Sequence, residues 1–321
     1  MINISDKLKN KLNEIPALPG IYKMLDSRGN IIYVGKSKML NKRVKTYFAD
    51  NPKWEKVTRM VHLIDDIEYI VTDTHLEARL LECSLIKEIK PIFNSQMKHD
   101  RGYAYLKIEN FNKYRSLSVV NTREENTYGP FRRKFQLNET VNFLKNLYPI
   151  KSRNNSFEFE YHLFPVPMNI ETFNENKKSL EEILSNKDKF QLFIKTLESK
   201  MKYEASIDNF EIASMYKNIL DNISYIFSSI KKFDELIFSK VLLTIPVENE
   251  YKLFYIENCT IINRKKYKKF NSNIINKFIE SQALIPKIYL NMDEKSMMDF
   301  KDIVYSEILS LPESMVIIFN T

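Results

Sequence analysis

Near its amino end the chain reads Gly20-Ile21-Tyr22 and, eleven residues after that tyrosine, Tyr33-Val34-Gly35. Both runs are rich in β-branched and aromatic residues, and the turn formers Asp26-Ser27-Arg28-Gly29-Asn30 separate them. This pattern predicts a β-hairpin with strands over residues 18–25 and 31–35. The hairpin would bring two phenols close to a turn glycine.

The residues after the hairpin complete a small domain. Apolar residues at helical spacing predict a helix over 40–48, and alternating apolar and polar residues predict a third strand over 67–72. A further helix is expected from about 75 to 89, because Pro91 blocks its continuation beyond that point. Residues 1–98 are therefore expected to fold as a three-stranded antiparallel sheet flanked by helices.

The rest of the chain divides into three predicted regions. A connector over 99–178 contains a β-like segment at 103–108, a turn at 128–131, a helix at 138–147 and an irregular stretch from 151. A helical hairpin follows over 179–235, with its break near 206–209. Residues 236–321 alternate predicted strands and helices, and a small α/β domain is the simplest interpretation. Its predicted strands are 241–245, 252–256, 260–263, 287–290 and 315–319, and its predicted helices are 274–283 and 295–309. The whole chain is thus expected to be of mixed α+β class.

Composition points to a nucleic-acid partner. The 321 residues carry 49 Lys and Arg against 41 Asp and Glu, a net charge of +8. The two cysteines, Cys83 and Cys259, form no ligand-spaced pair, which disfavours disulfides, zinc and iron-sulfur clusters and fits a reducing cytoplasm. No apolar run approaches the ~18 to 20 residues of a membrane span, so a membrane is not an expected partner.

A basic run follows the second predicted strand. Five cations occur within ten residues that contain no acid: Lys36, Lys38, Lys42, Arg43 and Lys45. One interpretation is a solvated helix face. The other is a phosphate site, because the run leaves the end of a strand at Gly35, and Arg43 shares a helix face with Tyr47. Spacing alone leaves both open.

Two other charged features also allow two interpretations. Glu77 stands three residues after Thr74, which is the spacing of a helix capping box, but a carboxylate is also needed if the site binds a divalent metal. Glu82 and Glu88 lie on the same predicted helix. The run Arg264-Lys265-Lys266 is either a contact for a DNA backbone or a solvated loop.

These residues together closely resemble the GIY-YIG nuclease domain of the UvrC family, which makes the incisions of bacterial nucleotide excision repair. The resemblance rests on residues 18–22, 32–38, 40–48, 74–82 and 86–94, and it continues through 128–131, 147–150 and 192–227. It implies a DNA endonuclease that uses one divalent ion, Mg²⁺ or Mn²⁺.

The resemblance also implies roles for individual residues. Tyr33 matches the general base toward water, Arg43 the arginine that meets the scissile phosphate, and Glu77 the metal ligand. Matching positions that line the same site are Tyr22, Lys36, Tyr47 and Asn94. A phenol acts as a base at neutral pH only if its pKa falls from about 10 to about 7. Lys36, Arg43 and the metal are expected to lower it.

The partners implied are damaged double-stranded DNA and UvrB. DNA is expected to contact Lys38, Lys42 and Lys45 as well as Arg264, Lys265 and Lys266. UvrB is expected on the helical hairpin at Phe210, Ala213 and Lys217. The stretch 157–167 matches a cysteine-rich segment of the family but holds no cysteine, so no iron-sulfur cluster is expected. The layout resembles the short, Cho-type members, which make one incision 3′ to a lesion.

Two other functions stay open at this stage. The chain could be a catalytically inactive adaptor that binds UvrB and DNA, although every motif position that can be matched is retained. It could also be a freestanding structure-specific nuclease, which the UvrB-type hairpin disfavours.

Overall fold

The computed structural model of the protein describes residues 5–49, 55–154, 156–237, 240–269, 271–282 and 293–319. The strand predicted over 287–290 lies outside these residues. The chain forms two units, one made of residues 1–100 with 236–321 and the other of 101–235. Helices and antiparallel sheets are mixed in both, which confirms the predicted α+β class.

The predicted hairpin is present at the centre of the first sheet. Strand β1 (Gly20–Leu25) pairs antiparallel with β2 (Ile31–Ser37) on one side and with β3 (Asp66–Val71) on the other. The Asp26 carboxylate accepts hydrogen bonds from the backbone N–H groups of Arg28 and Asn30, both at 2.9 Å. These contacts explain why polar turn formers separate the two apolar runs.

In the described parts of the chain, the helices that surround this sheet are α1 (Asp6–Glu14), α2 (Leu40–Lys45), α3 (Glu55–Leu63) and α4 (His75–Ile89). The sequence analysis missed α1 and α3 and extended α2 by three residues. Leu12, Met24, Val44 and Met60 are buried together in the core that the helices and the sheet share. Helix α4 ends at Lys90, which has a left-handed backbone with φ of 53°, immediately before Pro91.

The second unit, residues 101–235, is built around one core. Its described residues form a three-stranded sheet, a small hairpin and four α-helices. These elements are β4 (Ala104–Ile108), β5 (Leu117–Val120), β6 (Thr127–Phe131), α5 (Lys134–Leu144), β7 (Lys151–Arg153), β8 (Ser156–Glu158), α6 (Ile170–Ser185), α7 (Lys187–Ser206) and α8 (Phe210–Ile237). Leu106, Leu144, Phe193 and Ile219 are all buried in the same cluster, so the predicted connector and helical hairpin pack as one body.

Two local predictions in this unit were wrong. Residues 128–131, predicted as a turn, lie in β6, where they pair with β4. The stretch predicted to be irregular from residue 151 forms the β7–β8 hairpin and then begins α6 at Ile170. Asn169 starts that helix because its side chain accepts a hydrogen bond from the backbone N–H of Thr172 at 2.8 Å.

The carboxyl-terminal residues return to the first unit. They form β9 (Lys240–Val247), β10 (Glu250–Glu257), β11 (Thr260–Tyr267), α9 (Ser272–Gln282), α10 (Glu294–Ser310) and β12 (Val316–Phe319). The strands make an antiparallel sheet in the order β11-β10-β9-β12.

Helix α10 packs against α4 through charged side chains. Arg79 of α4 pairs with Glu307 of α10 at 2.8 Å, and Lys87 pairs with Asp299 at 2.8 Å. These ion pairs hold α10 against one face of α4, the helix that contributes side chains to the candidate site. Among the described residues no helix combines the length and the apolar character that crossing a bilayer requires.

Candidate active site

Three tyrosines from separate elements meet at one end of the first sheet. The hydroxyls of Tyr22 and Tyr47 lie 2.8 Å apart, and the Tyr47 hydroxyl donates to that of Tyr33 at 3.3 Å. The three ring centroids are 6.0 to 6.1 Å from one another. The phenols therefore form a short hydrogen-bonded chain, with Tyr47 in the middle.

The register of β1 and β2 explains why the Gly-Ile-Tyr and Tyr-Val-Gly runs occur together, because it places a residue of one run against a residue of the other. Tyr22 lies directly opposite Gly35 in the β1–β2 pair. A Cβ atom built on Gly35 would approach the Tyr22 hydroxyl and ring to 2.4 Å, far inside van der Waals contact. The glycine therefore leaves the space in which the buried Tyr22 ring lies across β2.

This contact predicts the result of replacing Gly35 with alanine. The added methyl must displace the Tyr22 ring from a close-packed core, which typically costs about 1–3 kcal/mol of folding stability. Urea unfolding of Gly35→Ala should show that loss, and the matched variant Gly29→Ala should separate the two causes. Gly29 has a positive φ of 79°, but no atom lies within 4 Å of the position that its Cβ would take, so only backbone strain would be measured there. Unchanged stability in Gly35→Ala would contradict the steric account.

Charged side chains complete a cavity of about 340 Å³ beside the tyrosines. The Arg43 guanidinium lies over the Tyr47 ring, 5.2 Å from its centroid. Lys36 Nζ donates to Glu82 Oε2 at 2.7 Å, and the Glu82 side chain is only 10% exposed. Six of the residues that line the cavity are Tyr22, Tyr33, Lys36, Arg43, Glu82 and Asn94.

Asn94 supports the site through the backbone of β2. Its side-chain amide donates to the Val34 carbonyl at 2.8 Å and accepts from the Val34 N–H at 2.9 Å. Both bonds are buried. Because Val34 is adjacent to Tyr33, these bonds hold the strand segment from which the Tyr33 ring projects.

The protein groups alone raise the pKa of Tyr33 instead of lowering it. Burial is the main cause, and Tyr47 and the Glu82 carboxylate act in the same direction, while Arg43 opposes them. Burial likewise raises the pKa of Tyr22. Arg43 acts in the expected direction, but Arg43 and Lys36 do not bring the Tyr33 pKa below its ordinary value, because burial of the ring outweighs Arg43 and Lys36 is paired with Glu82.

The structure does not bring Glu77, the expected metal ligand, into this cavity. Its carboxylate closes a capping box with Thr74 at the start of α4, which confirms the structural interpretation of that spacing. It also pairs with Lys252 Nζ at 2.6 Å and Arg264 Nη1 at 3.3 Å, and it lines a different cavity. The carboxylate that lies beside the tyrosines is that of Glu82, five residues further along α4.

A signal for Glu82 was present in the sequence. Ala78, Glu82 and Ile86 recur at i, i+4 and i+8, so Glu82 lies on an otherwise apolar helix face. Ile86 itself lines the site cavity. A glutamate within an apolar stripe needs a partner or a ligand, whereas Glu77 at the third helical position already had a structural explanation.

Glu82 also suits a divalent cation on chemical grounds. A carboxylate oxygen is the hard ligand that Mg²⁺ and Mn²⁺ favour, and Mg²⁺ is commonly held by one or two carboxylates with water filling the other positions. Oε2 already accepts from Lys36, and among the described residues no donor engages Oε1. Clusters of three or more His, Cys, Asp or Glu with metal-binding geometry do not occur in the described parts of the chain.

The basic residues predicted to contact DNA fall into two groups. Lys38, Lys42 and Lys45 are exposed near α2, and none takes part in an ion pair within the described ranges. Arg264 and Lys266 instead face acids of their own unit: Arg264 pairs with Glu77, and Lys266 pairs with Asp73. Lys265 lies over the Tyr267 ring, with Nζ 5.5 Å from its centroid. The second group is therefore partly neutralised within the protein.

Asp73 makes folding stability depend on pH in a defined direction. Burial acts to raise the pKa of its carboxyl, but hydrogen bonds from Lys252 and Lys266 outweigh it and hold the pKa below the ordinary 3.8. A depressed folded-state pKa gives stability that is present above pH ~4 and is lost as the pH falls through the lowered pKa. The stability difference between wild type and Asp73→Asn, measured by urea unfolding, should therefore shrink between pH 5 and pH 3. A constant difference would contradict this linkage.

The predicted partner-binding residues do not share one surface. Phe210 is 64% exposed at the start of α8, and Lys217 is exposed two turns further on. Ala213 is 8% exposed and belongs to the interior face of the helix. Tyr203 and Ile207, on the other side of the hairpin turn, are 62% and 48% exposed. The exposed apolar surface is thus at the tip of the hairpin, a feature that the sequence analysis did not single out.

The class of this domain follows from its sequence and its site together. A family described as the UvrC-like GIY-YIG domain matches residues 18–95, which include all six of the cavity residues named above. These residues therefore belong to the UvrC-like GIY-YIG family, and the resemblance of the motifs is confirmed.

Full-length relatives extend the similarity beyond that domain. UvrABC system protein C of Caldanaerobacter subterraneus subsp. tengcongensis is 29% identical over 327 residues, covering 91% of this chain and 53% of that protein. The protein of the same name from Alkaliphilus oremlandii is 34% identical over 230 residues, covering 66% and 37%. The chain spans about half the length of the relatives that it matches most extensively.

Among solved structures, the chain is similar to the GIY-YIG N-terminal endonuclease domain of UvrC from Thermotoga maritima, bound to its catalytic divalent cation, magnesium. The two are 37% identical over 29% of this chain and 100% of that domain, with a TM-score of 0.27.

Proposed function

We propose that this chain is a DNA endonuclease of nucleotide excision repair that hydrolyses one phosphodiester, 3′ to a lesion, in the presence of UvrB and a divalent cation. One observation carries the proposal. One cavity is lined by two phenols, an arginine and a carboxylate, with the Tyr47 hydroxyl hydrogen-bonded to both phenols, and these residues lie in a segment that belongs to the UvrC-like GIY-YIG family. This set provides a base, an anion-binding group and a metal ligand for phosphodiester hydrolysis.

Each side chain has a role that its geometry supports. After the Tyr33 phenol has lost its own proton, its phenolate oxygen accepts a proton from the attacking water, and Tyr47 keeps that oxygen in place by donating a hydrogen bond to it. Arg43, held over the Tyr47 ring, binds the phosphate oxygens whose negative charge grows during attack. Lys36 orients Glu82, and Asn94 holds the β2 backbone beside Tyr33.

Glu82 would hold the divalent cation in this proposal, and Mg²⁺ or Mn²⁺ both suit its oxygen ligand. When bound, the ion supplies positive charge that favours ionisation of nearby groups and stabilises anionic phosphate oxygens. This charge would offset the effect of the Glu82 carboxylate, which raises the pKa of Tyr33. The buried phenol therefore becomes a useful base only in the metal-loaded protein.

The assignment of partners is supported by the surface of each unit. Lys38, Lys42 and Lys45 present exposed positive charge beside α2, as a DNA backbone requires. The exposed tip of the α7–α8 hairpin, with Tyr203, Ile207 and Phe210, is the surface that we assign to UvrB. One nuclease site in the described residues fits one incision, as in the short Cho-type layout.

The direct test uses purified protein, UvrB, Mg²⁺ or Mn²⁺, and a duplex that carries one lesion. We expect a single nick in the damaged strand. Tyr33→Phe should lower the nicking rate by about 10²- to 10⁴-fold, the usual contribution of a general base. Tyr69→Phe is the matched control, because that tyrosine lies in the same sheet but donates to the Glu14 carbonyl and not into the cavity.

Three possible outcomes of this test would contradict the proposal in different ways. Full activity in Tyr33→Phe would contradict the role of that phenol. Binding of DNA and UvrB without nicking under any metal would favour the inactive adaptor. Equal nicking of lesion-free branched substrates without UvrB would favour a freestanding structure-specific nuclease.

A further inference from the structure

The start of α5, in the unit formed by residues 101–235, carries a basic surface that the proposed site does not use. Arg132, Arg133 and Lys134 are consecutive, and Phe135 follows them with 76% of its surface exposed. We call these four residues the α5 basic patch. They border a groove of about 520 Å³, which also involves Gln136, Glu139 and Asn222.

Aromatic rings hold the two arginines of the patch in place. Arg132 donates from Nε and Nη2 to the Tyr103 hydroxyl at 3.0 and 2.8 Å. The Arg133 guanidinium lies over the Tyr225 ring, 5.2 Å from its centroid. Stacked guanidinium groups have already lost part of their rotamer freedom, so less entropy is lost when they bind an anion.

Arg133 and Lys134 make hydrogen bonds to neutral side chains. Arg133 donates to the neutral amide of Gln136 at 3.3 Å, and Lys134 donates to the neutral amide of Asn121 at 2.7 Å. Amide partners orient a cation without cancelling its charge. The groove contains one carboxylate, that of Glu139, against three cations.

Backbone donors add to this positive charge. Helix α5 has 11 residues, and Arg133 at its N-cap makes no side-chain capping hydrogen bond. No acceptor in the described part of the chain caps the N–H groups of the first turn, so they can contribute to binding an anion that enters beside the three cations. Arg133 is fixed there by its own backbone N–H, which donates to the Tyr225 hydroxyl at 3.1 Å.

Phe135 indicates the kind of anion. An exposed phenyl ring next to three cations matches the pattern by which proteins bind single strands, with cations tracking phosphates and a ring stacking on a base. A base inside an intact duplex offers no free face for such stacking. The combination therefore suits a strand with at least one unpaired nucleotide better than it suits regular double-stranded DNA.

We propose that the α5 basic patch binds the backbone of a DNA strand and that Phe135 stacks on an unpaired base of that strand. The inference deepens the proposed function, on which it rests for the choice of DNA, and it assigns to residues 101–235 a substrate-binding site of their own. DNA distorted around a lesion has the exposed bases that this site would select.

The test measures binding and cutting separately with the full chain. Fluorescence anisotropy would follow labelled DNA of three kinds: a paired duplex, the same duplex with a short unpaired bubble, and a single strand. Arg133→Gln with Lys134→Gln removes two cations of the patch. Lys178→Gln with Lys202→Gln removes the same charge from two exposed lysines of α6 and α7 and serves as the control.

The two kinds of variant should differ in their effects. The patch double variant should weaken binding to all three DNAs by about tenfold. It should also reduce the slope of the logarithm of the binding constant against the logarithm of the salt concentration by about 1 to 2, because each lost phosphate contact changes that slope by about 0.7 to 0.9. Phe135→Ala should lower affinity by about tenfold for the bubble and the single strand, with little change for the paired duplex. The lysine control should lie close to wild type.

Several results would overturn the inference. Equal losses in the patch and control variants would show that only overall charge matters. An unchanged bubble preference in Phe135→Ala would remove the stacking role. Normal DNA binding with weakened UvrB binding in the patch variant would identify an acidic protein surface as the occupant. All of these are independent of nicking: a wild-type chain that binds as expected but cuts nothing would leave this inference standing and overturn the proposed function.

Discussion

Replacing Glu82 with glutamine should lower nicking by at least about a hundredfold, whereas Glu77→Gln should keep nicking within a few-fold of wild type. Glu82 is the carboxylate in the tyrosine cavity, and its amide analogue keeps the side-chain volume and an acceptor for Lys36 but loses the negative charge that a cation needs. Losses of about 10² to 10³ are typical when one electrostatic contact to developing charge is removed.

Single-turnover nicking over a Mg²⁺ titration is the measurement. The Glu82→Gln rate should stay low at every Mg²⁺ concentration, and its melting temperature should remain near that of wild type. Glu77→Gln should melt earlier, because it leaves Lys252 with fewer charged partners, so it is best assayed well below its melting temperature. If Glu77→Gln loses nicking and Glu82→Gln retains it, the assignment implied by the resemblance is correct and the one argued from the cavity is not.

Replacing Lys252 with methionine should lower the stability of the first unit by about 3 kcal/mol, a loss typical of a broken buried ion pair. Lys252 Nζ contacts both Glu77 and Asp73 at 2.6 Å, and its side chain is only 9% exposed. Methionine fills a similar volume but leaves the buried Glu77 carboxylate paired with Arg264 and the partly exposed Asp73 carboxylate paired with Lys266. For a unit of this size the melting temperature should fall by roughly 6 to 12 °C.

Two further variants make this prediction specific. Lys265→Met removes an exposed lysine from the same sheet and should change stability by less than about 0.5 kcal/mol. Combining Lys252→Met with Glu77→Gln should cost clearly less than the sum of the single variants, because the two side chains are direct partners. Additive effects in the double variant would show that the 2.6 Å contact contributes little.

The sequence predicted the parts of the site that depend on local patterns. Tyr22, Tyr33 and Gly35 could be assigned to one hairpin, and the structure supplies the register that the sequence permits but does not fix, with Tyr22 opposite Gly35. Arg43 and Tyr47 followed because they are one helical turn apart. Asn94 was assigned to the site by resemblance, and the structure adds the physical reason, which is its pair of hydrogen bonds to Val34.

The errors arose where distant segments decide the outcome. Lys252 lies 175 residues after Glu77, and nothing in the local pattern of either segment indicates that they meet. Without that contact, Glu77 looked available for a metal and Arg264 looked available for DNA. Helix α1 was missed for a different reason. Its apolar residues Leu8, Leu12 and Ile15 and its N-cap Ser5 are present in the sequence, but the pattern covers only nine helical residues.

The contact of Asn94 with Val34 has a consequence for solubility. Strand β2 is at an edge of its sheet, where unpaired backbone groups invite a strand of another molecule to add on. The Asn94 amide makes with Val34 the two hydrogen bonds that a foreign strand would make, and the Phe93 N–H donates to the Ile32 carbonyl at 3.0 Å. Phe93 and Asn94, which line the cavity, therefore also cover the open side of this strand and keep this edge from becoming a site of aggregation.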